Sequence, residues 1–241
     1  MKVEMQTTQL PIENLDFIDG GGGGDKMKHS KLLPNCFRAI FCGPSGCGKT
    51  NALLTLLFNP NGLRFENVYA YSKSLYQPKY RLLEEVLKNA SGIKYFPFTN
   101  NETIMDPQEA KENSIFIFDD VACDKQDKIR AYFSMGRHKA IDVAYLCQTY
   151  SKVPKQLIRD NSNTIVLFKQ DDVNLKHVFD EHVSPDMTYE EFKHMCSECW
   201  NSEKFGTLVI VKDFALNEGR YRCGFDKYIK VASCDNTPYM S

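Results

Sequence analysis

The chain has 241 residues, of which 42% are hydrophobic and 12% aromatic, enough to bury one sizeable core and to favour a single α/β domain. The formal net charge of -1 excludes a global positive field, so contacts with nucleic acid must come from local basic clusters. Nine scattered cysteines form no disulfide framework and predict reduced thiols in an intracellular compartment. The first residues do not resemble a secretory signal, no stretch approaches the roughly 18 apolar residues that span a bilayer, and no membrane contact is expected.

The first 30 residues are predicted to form a flexible N-terminal arm. The uninterrupted run Gly20–Gly24 makes ordering of this segment unfavourable in conformational entropy. The basic residues of the following segment, DKMKHSK, either face water or touch a partner or DNA, and the pattern favours water because charge runs are usually solvated. The folded domain is expected over residues 31–232, and residues 233–241 form a polar tail.

Apolar strands alternate with helices from Phe37 onward. The predicted strands lie in the segments FRAIFC, ENVYAYS, IKYF, SIFIFDD, DVAYLCQ and TIVLF. The predicted helices are KTNALLTLLF, one with the stripe Leu82, Leu83, Val86 and Leu87, and one that Asp124 caps, with Ile129, Tyr132 and Phe133 on its inner face. This alternation predicts an α/β fold in which helices sandwich a mostly parallel sheet.

A C-terminal extension is expected from about residue 173. It comprises helices at about 173–182 and 188–200, then an antiparallel hairpin of TLVIVKDF and GRYRCGF around Asn217–Gly219. A capping box of Thr188 and Glu191 begins the second helix, whose segment HMCSEC suggests a zinc site. Its cysteines also continue an apolar stripe, and without a second CxxC pair core packing is the favoured interpretation.

The segment FCGPSGCGKTN has the pattern of a phosphate-binding loop between a strand and a helix. Its glycines let backbone N–H groups surround phosphate oxygens at the positive end of the helix. Lys49 is expected to reach the β and γ phosphates of ATP, and Thr50 to bind Mg²⁺. Cys47 is expected to fill space, although a thiol near a helix start can have a depressed pKa. The predicted nucleotide-binding residues are Gly43, Pro44, Ser45, Gly46, Cys47, Gly48, Lys49, Thr50 and Asn51.

Two carboxylates, Asp119 and Asp120, end the apolar strand that begins at Ser114, 65 residues beyond Lys49. We predict that Asp119 holds Mg²⁺ and that Asp120 is the catalytic base that polarises and orients an attacking water. The alternative for Asp120 is a cap of the following loop, because Asp is common at such turns. The pair favours ATP hydrolysis over phosphoryl transfer to a second small substrate.

In chain order, GPSGCGKT, IFIFDD and GRHKAIDVAYLCQT resemble motifs of the HerA/FtsK superfamily of DNA-pumping ATPases. Within it they resemble the genome-packaging ATPases of poxvirus-like large DNA viruses, virophages and Polinton (Maverick) elements. The resemblance covers about residues 36–182. It implies a P-loop NTPase with a RecA-like core, in which the strand ending at Gln148 lies between the phosphate-loop strand and the Asp119 strand. Gln148 would then lie beside the γ-phosphate as a catalytic sensor.

The resemblance also implies an arginine finger just upstream of that strand, acting on the neighbouring subunit of a homo-oligomeric ring, a hexamer or a pentamer. Arg137, eleven positions before Gln148, fits this place, and Arg159 is the alternative. Three basic clusters of the chain are candidates for contact with double-stranded DNA, and the alternative for each is that it only faces solvent. The clusters are Lys125, Lys128 and Arg130; Arg137, His138 and Lys139; and Lys152, Lys155 and Arg159.

The favoured function is a Mg²⁺-dependent ATPase that translocates double-stranded viral DNA into a preformed capsid, with the capsid or a portal-like vertex as partner. Such a motor would act inside the host, in a virus factory or the nucleus, or on the virion. The alternatives are a helicase or DNA-transfer ATPase with the same core, a small P-loop nucleotide kinase, and a non-catalytic scaffold. No nucleoside-pocket or lid signature supports the kinase, and the intact Lys49, Thr50 and aspartate pair argue against the scaffold.

Overall fold

The computed structural model describes residues 27–99, 104–121, 126–135 and 140–231. The helices of these residues are α1 (Lys49–Phe58), α2 (Pro78–Asn89), α3 (Asp127–Met135), α4 (Asp172–His182) and α5 (Tyr189–Asn201). Their strands are β1 (Arg38–Cys42), β2 (Asn67–Ser72), β3 (Lys94–Phe98), β4 (Ser114–Asp119), β5 (Asp142–Cys147), β6 (Thr164–Leu167), β7 (Leu208–Val211), β8 (Tyr221–Cys223) and β9 (Lys227–Tyr228).

These strands form one sheet in the order β3-β2-β4-β5-β1-β6-β7-β8-β9. The first six strands in this order pair in parallel, and the last three pair antiparallel. Apolar side chains of α1 and α2 pack on one face of the sheet, and those of α3, α4 and α5 pack on the other. The predicted α/β fold, a mostly parallel sheet between helices, is confirmed.

The C-terminal hairpin continues the main sheet. The predicted pairing of β7 with β8 is present, and β7 also pairs antiparallel with β6, so that Leu208 faces Leu167. The capping box of Thr188 and Glu191 begins α5 as predicted. Cys196 and Cys199 are buried in the core on the inner side of α5, as the core-packing interpretation expects.

The apolar stripe of α2 is partly wrong. Leu83 and Leu87 are buried, whereas Leu82 and Val86 are 49% and 38% exposed. The remaining buried position is Tyr80, because residues 80, 83 and 87 follow one face of a helix with 3.6 residues per turn. On α3, Ile129, Tyr132 and Phe133 are buried as predicted, and the predicted cap Asp124 lies outside the described residues.

Lys28 and His29, which lie in the predicted N-terminal arm, belong to the folded domain. The Lys28 ammonium lies 2.6 Å from Asp142 Oδ2, and His29 Nε2 lies 3.1 Å from the same oxygen. The other carboxylate oxygen of Asp142 accepts the Phe37 N–H at 2.8 Å. Lys28 and His29 are therefore not solvated, because both contact the buried carboxylate at the start of β5.

No helix among the described residues is long and apolar enough to cross a membrane.

Replacement of Asp142 with alanine is expected to destabilise the domain. The substitution leaves Lys28 and the Phe37 N–H without their buried partner, and breaking such a pair typically lowers the free energy of unfolding by about 3–5 kcal/mol. Asp180→Ala is the control, because Asp180 pairs with Lys176 at the surface, where the effect should stay below about 1 kcal/mol. Urea denaturation measures the free energy of unfolding of both variants. Equal losses in the two would show that the buried contacts of Asp142 do not stabilise the domain.

Candidate nucleotide-binding site

The phosphate loop follows β1 and is tied to the end of β5. The Gly43 N–H donates to the carbonyl of Cys147 at 3.1 Å. Gly46 and Gly48 adopt φ values of 77° and 111°, a left-handed conformation that favours glycine. A Cβ atom on Gly43 would lie only 2.6 Å from the side chains of Cys47 and Phe168. The glycine spacing therefore follows from backbone conformation and close packing.

Lys49 begins α1 and returns its side chain to the loop. Its ammonium donates to the carbonyls of Gly43 at 2.6 Å and Pro44 at 2.9 Å, so the positive charge lies inside the loop. Asn51 is half-buried on the first turn of the same helix. Burial raises the pKa of the Cys47 thiol above its usual value despite the proximity of Lys49, so the alternative of a depressed pKa is wrong.

The order of the central strands places the other predicted residues beside this loop. β5 lies between β1 and β4, as the family resemblance implies. Cys147 pairs with Cys42 of β1, and Leu146 pairs with Asp119 of β4. Because these strands are parallel, Gln148 and the aspartate pair leave the sheet at the same edge as the phosphate loop.

A cavity of about 530 Å³ opens at this edge. It brings together Lys49, Thr50, Asp119, Asp120 and Gln148, which the sequence predicts to be catalytic or metal-binding. The loop residues Ser45, Gly46 and Gly48 also line the cavity, whereas Gly43, Pro44, Cys47 and Asn51 of the predicted nucleotide-binding set do not. The remaining lining residues are Ser74, Gln77, Lys79, Leu146, Cys147, Thr149 and Lys152.

Asp119 is held by a tyrosine that the sequence analysis missed. The hydroxyl of Tyr80, on α2, donates to Asp119 Oδ2 at 2.6 Å. Burial and the nearby Asp119 raise the pKa of Tyr80, so its hydroxyl keeps the proton that it donates. Burial raises the pKa of Asp119 above its usual value, although the Tyr80 hydroxyl and Lys49 oppose this shift.

Asp120 differs from Asp119 in both backbone and exposure. Its φ of 59° lies in the left-handed region, which Asp tolerates better than most residues. Asp120 is exposed, whereas Asp119 is half-buried. The backbone turn allows two consecutive carboxylates to line one cavity in different environments.

The donor set of the cavity fits Mg²⁺. The Thr50 hydroxyl and the Asp119 carboxylate provide oxygen atoms, which Mg²⁺ prefers. Among the described residues, no group of three His, Cys, Asp or Glu side chains could hold a metal ion. A small number of protein ligands is sufficient for Mg²⁺, which usually retains several waters and is bound by one or two carboxylates together with the substrate phosphates.

The turn that follows Gln148 is held by contacts with α4. The Tyr150 hydroxyl lies 3.0 Å from Glu181 Oε2 and 2.5 Å from His182 Nε2, both on α4. The guanidinium of Arg159 binds Glu181 Oε1 at 2.7 Å and lies over the Tyr150 ring. Arg159 is 8% exposed and is held within its own chain, which argues against its use as an arginine finger. Arg137 lies outside the described residues.

The basic clusters are only partly available to DNA. Arg159 is buried, Lys128 donates to the Ile104 carbonyl at 2.5 Å, and Arg130 contacts Asp127 at 3.4 Å. Lys152 lines the cavity and Lys155 is exposed. Lys125 and the cluster of Arg137, His138 and Lys139 lie outside the described residues.

Four of the residues that the sequence analysis missed come from one segment after β2. Ser74, Gln77 and Lys79 line the cavity, and Tyr80 lies behind Asp119. Since β2 pairs in parallel with β4, its carboxyl end reaches the same edge as Asp119. The available signal was the polar segment SKSLYQPK directly after a predicted strand.

Comparison with known proteins agrees with this geometry. The model of the family described as Poxvirus A32 protein matches residues 25–230. The DNA packaging protein OPG160 of vaccinia virus (strain Copenhagen) is 28% identical over 150 residues, covering 54% of this chain and 52% of that protein. The monkeypox virus protein of the same name is also 28% identical, covering 54% of this chain and 47% of its own length. The chain spans about half the length of the curated relatives it matches.

Solved structures with the same fold include the genome packaging NTPase B204 from Sulfolobus turreted icosahedral virus 2. Its sulfate complex has a TM-score of 0.51 and 11% identity, covering 74% of this chain and 92% of that chain. Its AMPPCP complex has a TM-score of 0.51 and 9% identity, covering 75% and 95%. At such identity the likeness shows the fold alone. The family match extends over most of the sequence, and the chain therefore belongs to the poxvirus A32 protein family.

Proposed function

We propose that the chain is the ATPase motor of viral genome packaging, which hydrolyses ATP and moves double-stranded DNA into a preformed capsid. The observation that carries this proposal is the convergence of Lys49, Asp119, Asp120 and Gln148 on one cavity at the carboxyl edge of the sheet. Membership of the A32 family and the DNA packaging proteins among its relatives support DNA as the translocated substrate.

The phosphate loop and Lys49 bind the triphosphate. Backbone N–H groups at the start of α1 and the ammonium of Lys49 carry positive charge toward the same loop, which suits an anion. The exposed carboxylate of Asp120 orients the attacking water and accepts its proton. Mg²⁺ held by Thr50 and Asp119 would neutralise charge on the phosphates.

Gln148 supplies an uncharged group beside the terminal phosphate. Its amide can donate to a phosphate oxygen and accept a hydrogen bond from water. It does so without adding charge to a cavity that is already lined by two carboxylates and three lysines. This combination explains why an amide, and not an acid or a base, follows the buried strand β5.

The proposal extends to the assembly. Subunits form a homo-oligomeric ring in which Arg137 reaches the neighbouring subunit's nucleotide, a contribution typically worth about 10³–10⁵ in rate. A capsid or portal-like vertex receives the DNA in the virus factory or nucleus of the host. The supporting observations are the family match and the internal pairing of the alternative finger, Arg159.

Steady-state ATP hydrolysis with and without linear double-stranded DNA tests the proposal. We expect DNA to accelerate hydrolysis. Lys49→Ala should abolish it, because Lys49 is the only phosphate-loop residue lining the cavity that has a cationic side chain. Lys88→Ala, at an exposed surface pair on α2, is the control and should retain wild-type turnover. Wild-type turnover in Lys49→Ala would refute the site. Separation of a forked duplex would favour a helicase, and phosphorylation of a nucleoside a kinase.

Gln148→Ala is expected to bind ATP with nearly unchanged affinity and to hydrolyse it about 10²-fold more slowly. The estimate corresponds to the loss of one positioned polar group at the reacting phosphate. Gln156→Ala, at an exposed position in the following loop, is the matched control. Nucleotide titration and turnover measurements separate binding from hydrolysis, and full DNA-stimulated turnover in Gln148→Ala would mean that Gln148 is only a strand end.

Tyr80→Phe is expected to lower turnover about tenfold and to raise the Mg²⁺ concentration needed for half-maximal activity. The ring still packs, but Asp119 loses a hydrogen bond to a charged group. That bond lowers the pKa of Asp119, so its loss should move the acid limb of the pH–rate profile to higher pH. Tyr132→Phe, which removes a hydroxyl bonded to the Met105 carbonyl, is the control. An unchanged Mg²⁺ dependence and pH profile would contradict this positioning role.

A further inference from the structure

The phosphate loop has a catalytic side and an opposite side. β5 with Gln148 pairs with one edge of β1, and β4 with Asp119 lies beyond β5. β6 pairs with the other edge of β1, followed by β7. If the terminal phosphate of ATP faces Gln148 and Asp119, the nucleoside must leave the loop toward β6 and β7.

An exposed aromatic ring lies on that opposite side. A Cβ atom on Gly48 would be 2.8 Å from Cδ1 and 3.0 Å from Cγ of Phe205, so the ring rests directly against the phosphate loop. Phe205 is nevertheless 41% exposed. It precedes β7, and because β7 is antiparallel to β6, this segment lies at the carboxyl edge of the parallel strands.

The backbone around Phe205 is held in place by contacts with neighbouring elements. A Cβ atom on Gly206 would lie 2.2 Å from the Cys199 carbonyl oxygen, so only glycine fits this approach to α5. The indole N–H of Trp200 donates to the Leu167 carbonyl at the end of β6, at 2.9 Å. The backbone that carries Phe205 is therefore held in place, and a preorganised surface loses less freedom when a ligand binds.

We propose that Phe205 is the stacking platform for the nucleobase of the bound nucleotide, an inference that rests on the proposed ATPase function. A half-exposed ring that lies against Gly48 of the phosphate loop offers one π-face to a planar base. Lys204, whose ammonium lies 5.5 Å from the ring centroid, is exposed and can contact the ribose or yield its place to the base. Stacking tolerates every base, so Phe205 should contribute similarly to binding of ATP and GTP.

Binding of ATP and of inorganic tripolyphosphate by calorimetry tests this inference. Phe205→Ala should weaken ATP binding about ten- to hundredfold, the usual range for loss of one base–aromatic stack, and leave tripolyphosphate affinity unchanged. Phe205→Tyr should retain ATP affinity within about threefold, because a tyrosine ring stacks as well. Phe205→Leu keeps apolar bulk against Gly48 without a π-face and should behave like the alanine variant.

Phe58→Ala is the matched control. Phe58 is 39% exposed and ends α1, about 14 Å along the helix axis from Lys49, so its loss should change neither affinity. Wild-type ATP affinity in Phe205→Leu would overturn the inference. Equal losses of ATP and tripolyphosphate would also overturn it, since Phe205 would then only shape the loop through Gly48. Failure of the wild-type chain to bind either ligand would instead overturn the proposed function.

Discussion

The hydrogen bond from the Gly43 N–H to the Cys147 carbonyl, 3.1 Å long, holds the phosphate loop level with the end of β5. On the other side of β1, the Phe168 N–H donates to the Cys42 carbonyl at 2.9 Å. Because β1 pairs in parallel with β5 on one edge and with β6 on the other, the chain leaves all three strands at the same edge of the sheet. The phosphate loop lies in the middle, the Gln148 turn on one side, and the segments that approach Phe205 on the other. Because the two sides of the loop differ chemically, we expect a nucleotide bound there to take one direction.

The turn after Gln148 is joined to α4 by side chains that do not face the cavity. Tyr150 contacts Glu181 and His182, and Asn174 accepts the Ser151 N–H at 3.0 Å. Burial, with nearby Lys212, Arg159 and Arg220, lowers the pKa of His182 to about 3, so this histidine is neutral near pH 7. A displacement of Tyr150 or Ser151 away from α4 would break these bonds. The turn that follows Gln148 is thus joined to α4 by the side chains of Tyr150 and Asn174.

Local patterns were sufficient to predict β1 to β8, the phosphate loop and the aspartate pair, because each has its own periodicity or spacing, whereas the two-residue strand β9 was not predicted. Contacts between distant segments were not predictable in this way. Lys28 meets Asp142 across 114 positions, and Tyr80 reaches Asp119 only when α2 packs on the sheet. The apolar pattern of α2 was compatible with burial of either of two adjacent helix faces. In the structure the face with Tyr80 points inward, and Leu82 and Val86 are exposed. Antiparallel addition of the hairpin to β6 likewise depends on the assembled sheet.

A crystal structure of the chain with Mg²⁺ and a non-hydrolysable ATP analogue would test most directly whether this edge of the sheet is a directional ATP site. We expect the terminal phosphate to lie between Lys49 and Gln148, with Asp119 on the metal side and the nucleoside directed toward β6 and β7. A triphosphate bound in the reverse direction, or an analogue bound outside the cavity, would contradict the assignment of Gln148 and the aspartate pair to the chemistry of hydrolysis.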